Sequence, residues 1–205
     1  MAKPKAASPD DQAGTKRENR REELLRKAAD LIAQKGFEGT SMRDIASAVN
    51  MLPGSLYYHF KSKEEMLLEI HQRVVDGMFE RVETAIAAGH TPWEQLENAS
   101  VAHFEGLIES RNLVNIISPN FPEERGALNE QIKAHRSRYE DIFRGLFDRL
   151  DLAPGVSKNV LRLQLLGALN FAPFWFREGG GLSAADVARQ FTSNLRHSCE
   201  AGEGR

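Results

Sequence analysis

One stretch constrains this chain more than any other: Arg43–Phe60, RDIASAVNMLPGSLYYHF. Its apolar residues fall at Ile45, Ala46 and Val49, then again at Leu56 and Phe60, the spacing of a buried helical stripe interrupted once. The interruption carries Asn50, a residue that tolerates left-handed backbone, and Pro53, whose missing N–H suits the first turn of a new helix. Two short helices meeting at a tight corner are therefore predicted. The second turns Ser55, Tyr57, Tyr58 and His59 away from the apolar positions. Ser62 and Glu65, in KSKEEM at Lys61–Met66, have the spacing of a capping box that launches another helix at once. This is the pattern of a helix-turn-helix, whose second helix offers hydrogen-bonding groups to a DNA major groove.

The rest of the chain reads as helices with legible starts and stops. The first is predicted over Lys16–Lys35, with Leu24, Leu25, Ala28, Leu31 and Ile32 inward and Gly36 as its stop. Thr40 or Ser41 caps the next helix, Met42–Val49, with Asp44 three residues after Ser41 resembling a capping box. A helix over Lys63–Ala88 would be roughly 39 Å long, enough to run from a small head into a larger body. Its stripe is Met66, Leu67, Ile70, Val74, Met78 and Val82. Thr91-Pro92-Trp93-Glu94 starts a helix to about Ser110, and Asn112–Ile117 is a short one. Further helices are expected over Leu128–Leu150, over Val156–Arg177 with a bend at Pro173, and from Ser183 to about His197. No strand pattern is present. The fold class is all-α: an N-terminal three-helix head plus a larger helical ligand-binding and dimerisation body, about nine helices in all. The expected segments are a disordered basic arm (1–15), the helix-turn-helix domain (16–62), the body (63–199) and a disordered tail (200–205).

Charge is distributed to match. The net charge of −2 hides a value of +4 over residues 1–63 and −6 over residues 64–205. A basic head on an acidic body suits a DNA reader, because phosphate neutralisation supplies much of the affinity. Lys3, Lys5, Lys16, Arg17, Arg20 and Arg21 are candidates for added phosphate or minor-groove contacts. The single cysteine, Cys199, precludes an internal disulfide and fits a reducing cytoplasm. No apolar run approaches the ~20 residues of a membrane span, and the polar N-terminus carries no signal-peptide pattern. The six histidines form no close metal-binding pair, and no phosphate loop or nucleophile–base arrangement is present, so neither catalytic nor metal residues are assigned and no cofactor is expected.

Between Lys16 and Met66, KGFEGTSMRDIA, PGSLYYHF and KSKEEM follow one another in an order that resembles the DNA-binding domain of the TetR family of bacterial regulators. Two departures stand out: Val49-Asn50 where that family usually has Ala-Gly, and Leu52 where Ser or Thr is common. The resemblance implies a cytoplasmic homodimeric repressor that binds a palindromic double-stranded operator and is released by a small effector. Thr40 and Ser41 offer hydroxyls to a phosphate. Pro53, Gly54 and Ser55 lead the recognition helix into the groove, and Arg43 is a base or backbone contact. Tyr57 and His59 resemble the family's phosphate-binding pair, the alternative being a packed aromatic pair under the head. Lys63 resembles the lysine opening the family's fourth helix.

The last two helices resemble the family's dimer-forming pair, with Leu161, Leu165, Leu169, Val187, Phe191 and Leu195 meeting a second copy; the alternative is ordinary core. Ligand-lining candidates are His103, Phe104, Asn115, Asn170, Phe171, Phe174 and Trp175, against the reading of an aromatic stripe as core. FWFREGGGLS at Phe174–Ser183 resembles a segment of the family branch that responds to acyl-CoA thioesters. On that resemblance Arg177, with Arg136, Arg138, Lys133 or Arg162, would hold coenzyme A phosphates. A different small hydrophobic ligand, or a protein partner, remains the alternative effector.

Overall fold

The computed structural model describes residues 9–113, 126–171 and 174–200. The fold is all-α, with eight α-helices and one 3-10 turn among the described residues. Helix α1 (Pro9–Lys35) stops at Gly36, which takes φ +75°, a conformation open to glycine and strained for most other residues. Helix α2 (Met42–Ala48) starts with the expected box: the Ser41 hydroxyl accepts from the Asp44 N–H at 3.2 Å, and the Ser41 N–H donates to Asp44 Oδ2 at 2.8 Å. The corner turns at Asn50, φ +54°, and α3 (Pro53–His59) opens with its proline in the first turn and no side-chain cap from Leu52.

Helix α4 (Lys63–Ala87) is followed by α5 (Pro92–Glu109), which has a full Thr91–Glu94 capping box. After the 3-10 turn Arg111–Leu113 come α6 (Gly126–Asp148), α7 (Lys158–Phe171) and α8 (Ala184–Glu200). The Ser183–Asp186 pair caps α8 as predicted.

Three expectations change. Helix α1 begins at Pro9, so residues 9–15, assigned to the arm on composition, are helical. The short helix expected at Asn112–Ile117 is a 3-10 turn over its described part. Helix α7 ends at Phe171 instead of running to Arg177. A proline close beyond this end has no N–H to continue the ladder, so termination replaces the expected bend. Pro173 itself lies outside the described residues, as do residues 1–8, 114–125 and 201–205.

Two hydrophobic cores form. The head core joins Leu24, Leu25, Ala28 and Ile32 of α1 to Ile45, Leu56 and Phe60, and to Met66, Leu67 and Ile70 of α4. The body core joins Val75, Met78 and Val82 of α4 to Leu96 and Phe104 of α5, Phe143 and Phe147 of α6, and the inner faces of α7 and α8. Helix α4 belongs to both, and half-buried Val74 touches both, with Val75 the fully buried neighbour. Leu128 and Ile132 of α6 reach across into the head core. At the same seam, buried His71 of α4 faces His135 of α6 with the two Nδ1 atoms 3.3 Å apart, so one ring donates and the other accepts.

Cations expected at phosphates bind the head together in the free protein. Arg21 donates to the His59 carbonyl at 2.7 Å, makes a two-point pair with Glu69 of α4, and lies over the Phe60 ring at 4.0 Å. Arg20 donates to the Val49 carbonyl at 3.0 Å. The Lys63 ammonium donates to the Phe37 and Thr40 carbonyls, the latter at 2.8 Å, above the Phe37 ring. The physical reason is that short helices and tight corners leave carbonyls without helical partners, and a nearby cation satisfies them. Burial disfavours ionising Glu69, yet its bonds to Arg21 and Arg73 outweigh this and hold its carboxyl below its ordinary pKa.

Replacing Arg21 by Ala removes three charge-assisted bonds that link α1, α3 and α4, and is expected to cost about 2 kcal/mol. Urea denaturation reads this as a lower midpoint with an unchanged slope. A midpoint equal to the parent's would mean that the network holds nothing.

Candidate DNA-binding face and effector cavity

Helix α3 buries one side only, at Leu56, and this leaves the opposite side free to face a partner. Gly54, Ser55, Tyr57 (53% exposed) and Tyr58 (71% exposed) lie on that outer side, with Ser41 and Arg43 of the α2 start also exposed. Pro53 and His59 are half-buried, and the His59 ring stands edge-on to Tyr58 at 5.5 Å. Leu52 is 77% exposed just ahead of α3. A leucine that bare contributes nothing to the core, but can contact a thymine methyl in a groove. Leu52 is not among the predicted contacts; its signal is an apolar residue at a cap position.

Two predicted contacts do not join this face. Thr40 is 1% exposed and its hydroxyl donates to the Gly36 carbonyl at 2.9 Å. Lys63 is held by carbonyls as described. The Ser41 hydroxyl is shared with Asp44 Oδ2 at 2.6 Å, a bond that also keeps the Asp44 carboxyl below its usual pKa.

In the body, a cavity of about 270 Å³ lies among α4, α5, α6 and α7. Val75 and Met78 of α4, Leu107 of α5, Phe143 of α6 and Leu163, Leu166 and Gly167 of α7 make its apolar walls. Its polar lining is His103, Tyr139, Asn170, Arg136, Glu140 and Arg162. His103 Nδ1 lies 2.6 Å from the Tyr139 hydroxyl and its Nε2 lies 3.0 Å from Asn170 Oδ1. A tyrosine that donates to Nδ1 leaves the Nε2–H to donate to Asn170, so the Tyr139 O–H, both His103 nitrogens and Asn170 Oδ1 are all bonded. Burial pushes the His103 imidazole down to about 4 and raises the Tyr139 phenol, so both stay neutral at ordinary pH. Arg162, only 7% exposed, donates through Nη2 to Asn159 Oδ1 at 2.8 Å. Its Nη1 is the one buried side-chain polar atom without a hydrogen-bond partner among the described residues.

Of the predicted ligand residues, the structure brings His103 and Asn170 to this cavity. Phe104 is buried behind it, packed edge-on against Phe176 at 5.4 Å. Phe171, Phe174, Trp175 and Arg177 are exposed, because α7 stops before this segment can turn inward; only Phe176 of the aromatic run is buried. Asn115 lies outside the described residues. Arg136 and Arg162 reach the cavity, while exposed Lys133 and Arg138 are not part of its lining.

The stripe expected to meet a second copy is also corrected. Leu161, Leu165, Leu169, Val187 and Leu195 are buried in the protomer's own core, and Phe191 packs against it. The most apolar face of each helix is the one the protomer itself consumes.

A helix-turn-helix head on a helical body that encloses an apolar cavity defines a ligand-responsive DNA-binding regulator. Residues 24–70 match the family described as bacterial regulatory proteins, tetR family, and residues 89–199 the tetracyclin repressor-like C-terminal domain. The chain belongs to the TetR family; it is a transcriptional regulator and not an enzyme. It is 32% identical over 193 residues to the HTH-type transcriptional repressor KstR2 of Rhodococcus jostii, spanning 90% of this chain and 92% of that one. Against the repressor KstR2 of Mycolicibacterium smegmatis it is 30% identical over 185 residues, 84% and 87% of the two chains. Among solved structures, AibR in complex with isovaleryl coenzyme A and operator DNA matches with a TM-score of 0.68 at 26% identity, over 88% of this chain and 97% of that one.

The neutral, buried His103 has a consequence for stability. Its pKa is depressed in the folded state, so its contribution is fully present above pH 6.5 and is lost as pH falls toward about 4. The unfolded chain gains a proton there that the native state refuses, worth roughly 3 kcal/mol over the window. Melting temperatures of the parent and of His103→Gln across pH 4–7 should show a steeper acid-side decline in the parent. Parallel curves would rule out His103 as the source.

Proposed function

We propose that the chain is a homodimeric repressor that grips a palindromic operator through two copies of α3 and leaves it when an acyl-CoA thioester binds the body. One observation carries this reading: the cavity is walled by α4 and α6, the two helices that also contribute to the head core. Val75 and Met78 line the cavity about one and a half to three and a half turns beyond Met66 and Ile70, which belong to the head core with Leu56 of α3. On α6, Tyr139 and Phe143 line it and Leu128 and Ile132 enter the head. A ligand favouring one placement of these helices shifts the separation of the heads, and only that differential affinity drives release.

Each head offers Arg43, Ser55 and Tyr57, with Gly54 allowing close approach, to one half-site. Two half-sites about 34–36 Å apart are needed because one short recognition helix binds weakly. A dimer face is available on the outer side of α7, where Val160, Leu163 and Phe171 are exposed beside Phe174 and Trp175. This is an apolar surface that a monomer rarely leaves bare. The cavity volume suits a short acyl group and lies at or below the low end of ligand pockets. The nucleotide part of a thioester would stay outside, near the exposed Arg136 guanidinium. The isovaleryl coenzyme A bound by AibR is the support for a thioester effector. Repression follows the KstR2 relatives, which are transcriptional repressors.

Phe171→Glu should convert the dimer to monomer in sedimentation and lower operator affinity by about 100-fold or more, since one head loses its mate. A variant that remains dimeric would place the interface elsewhere. For the effector, an operator selected from random DNA serves in fluorescence anisotropy with isovaleryl-CoA, octanoyl-CoA, octanoate and coenzyme A alone. Thioesters should release the DNA and coenzyme A alone should not. Gly167→Leu, whose new Cβ meets nothing within 4 Å, fills the cavity wall and should block release while keeping DNA binding. Release by octanoate only, or by none of the four, would exclude a thioester effector.

A further inference from the structure

The cavity's charges do not balance. Arg136 and Glu140 at its edge face one another at 3.6 Å and cancel. His103 and Tyr139 are neutral and mutually bonded. Arg162 is the remaining charged group in the lining; among the described residues its only hydrogen-bond partner is the neutral Asn159 side chain, and its Nη1 is buried and unbonded. A buried donor left unmade is costly, and a buried cation without a counter-ion more so. Leucine or methionine would fill this position on α7 at no such penalty, as Leu165, Leu166 and Leu169 do nearby. Asn170 adds to the imbalance. Its Oδ1 is taken by His103, which leaves its amide N–H groups as donors on the same lining. Among the described residues, the one buried polar side-chain atom of the lining left open is thus a donor, Arg162 Nη1, and it is positively charged.

The geometry points to an effector whose cavity-bound part carries a carboxylate, with an oxygen on Arg162 Nη1 and the apolar body against Val75, Met78, Leu107, Phe143 and Leu166. This rests on reading the cavity as the effector site and adds the chemical class of what enters it: an apolar acid. A neutral hydrocarbon tail would leave the guanidinium unpaired in the bound state as in the free one. An amine would bring a second cation beside it. The carboxylate has two possible sources. It is the acid's own group if the effector is a free acid, or a second carboxyl on the acyl part if the effector is a coenzyme A thioester. In either case Arg162 sets specificity, because a site built to pair an anion rejects the analogue that lacks it.

Isothermal titration of the full-length protein with four probes tests this: n-octanol, octanoate, octanoyl-CoA and the mono-coenzyme A thioester of octanedioic acid, each against the parent and Arg162→Met. The parent should bind the octanedioyl thioester at least tenfold more tightly than octanoyl-CoA, and octanoate more tightly than octanol. Arg162→Met should lose about 10- to 100-fold for the carboxylate-bearing probes and stay within about twofold for octanoyl-CoA and octanol. Its melting temperature should equal or exceed the parent's, because an unpaired buried charge is gone. Arg162→Lys keeps the charge without the fork and should recover part of the preference. Equal binding of the paired probes by the parent, or a uniform loss across all four in Arg162→Met, overturns the assignment. Arg162-dependent binding of octanoate with no thioester bound upholds the carboxylate and removes the coenzyme A reading. Failure of all four to bind overturns both.

Discussion

Everything in this molecule depends on one helix being buried twice. Met66, Leu67 and Ile70 of α4 complete the head core, and Val75, Met78 and Val82 of the same helix complete the body core. Close-packed interiors resist continuous deformation, so a rigid rod embedded in two of them transmits a displacement from one to the other. Helix α6 doubles the connection through Leu128 and Ile132, and the buried His71–His135 contact sits where the two helices meet. The head is therefore not a free module on a tether. Its orientation is a consequence of how the body packs.

The head shows how few cations are left to touch DNA once the fold has taken its share. Arg20, Arg21 and Lys63 serve carbonyls at helix ends and corners, where their removal would leave buried acceptors unmet. Their charge still contributes to the positive field of residues 1–63, which attracts DNA without contact. The outer surface of α3 and the start of α2 are left exposed, with Arg43, Ser55, Tyr57, Tyr58 and Leu52 outside the core.

The body makes the opposite compromise. Ordinary core would fill the space between α4 and α7 with apolar side chains, yet here it holds a bonded His–Tyr–Asn chain, an underbonded arginine and a void. Each feature lowers stability, and together they give the protein something to bind. Gly167 fits the same pattern: mid-helix glycine weakens α7, and the missing side chain helps to keep the cavity open.

Local structure was legible in the sequence because its causes are local. The capping residues Ser41, Ser62, Thr91 and Ser183, the stop at Gly36, the corner at Asn50 and the proline starts at Pro53 and Pro92 each act within one turn of chain, and all stand where they were expected. His103 and Asn170 could also be named, as polar residues on apolar helices. What the residues could not show is which face of an apolar helix meets its own chain and which meets another molecule. The pattern of Leu161, Leu165 and Leu169 reads more readily as interface than as core, yet all three are buried in the protomer's own core, while exposed Val160, Leu163 and Phe171 lie on the outer face. Arg21, Lys63 and Arg177 are alike in sequence as exposed-type cations, yet the first two close carbonyls across 23 to 38 residues and the third faces solvent. Periodicity repeats within a helix and so reports that a face is apolar. Only the packing of several helices, through contacts distant in sequence, assigns that face an occupant and leaves one guanidinium nitrogen without one.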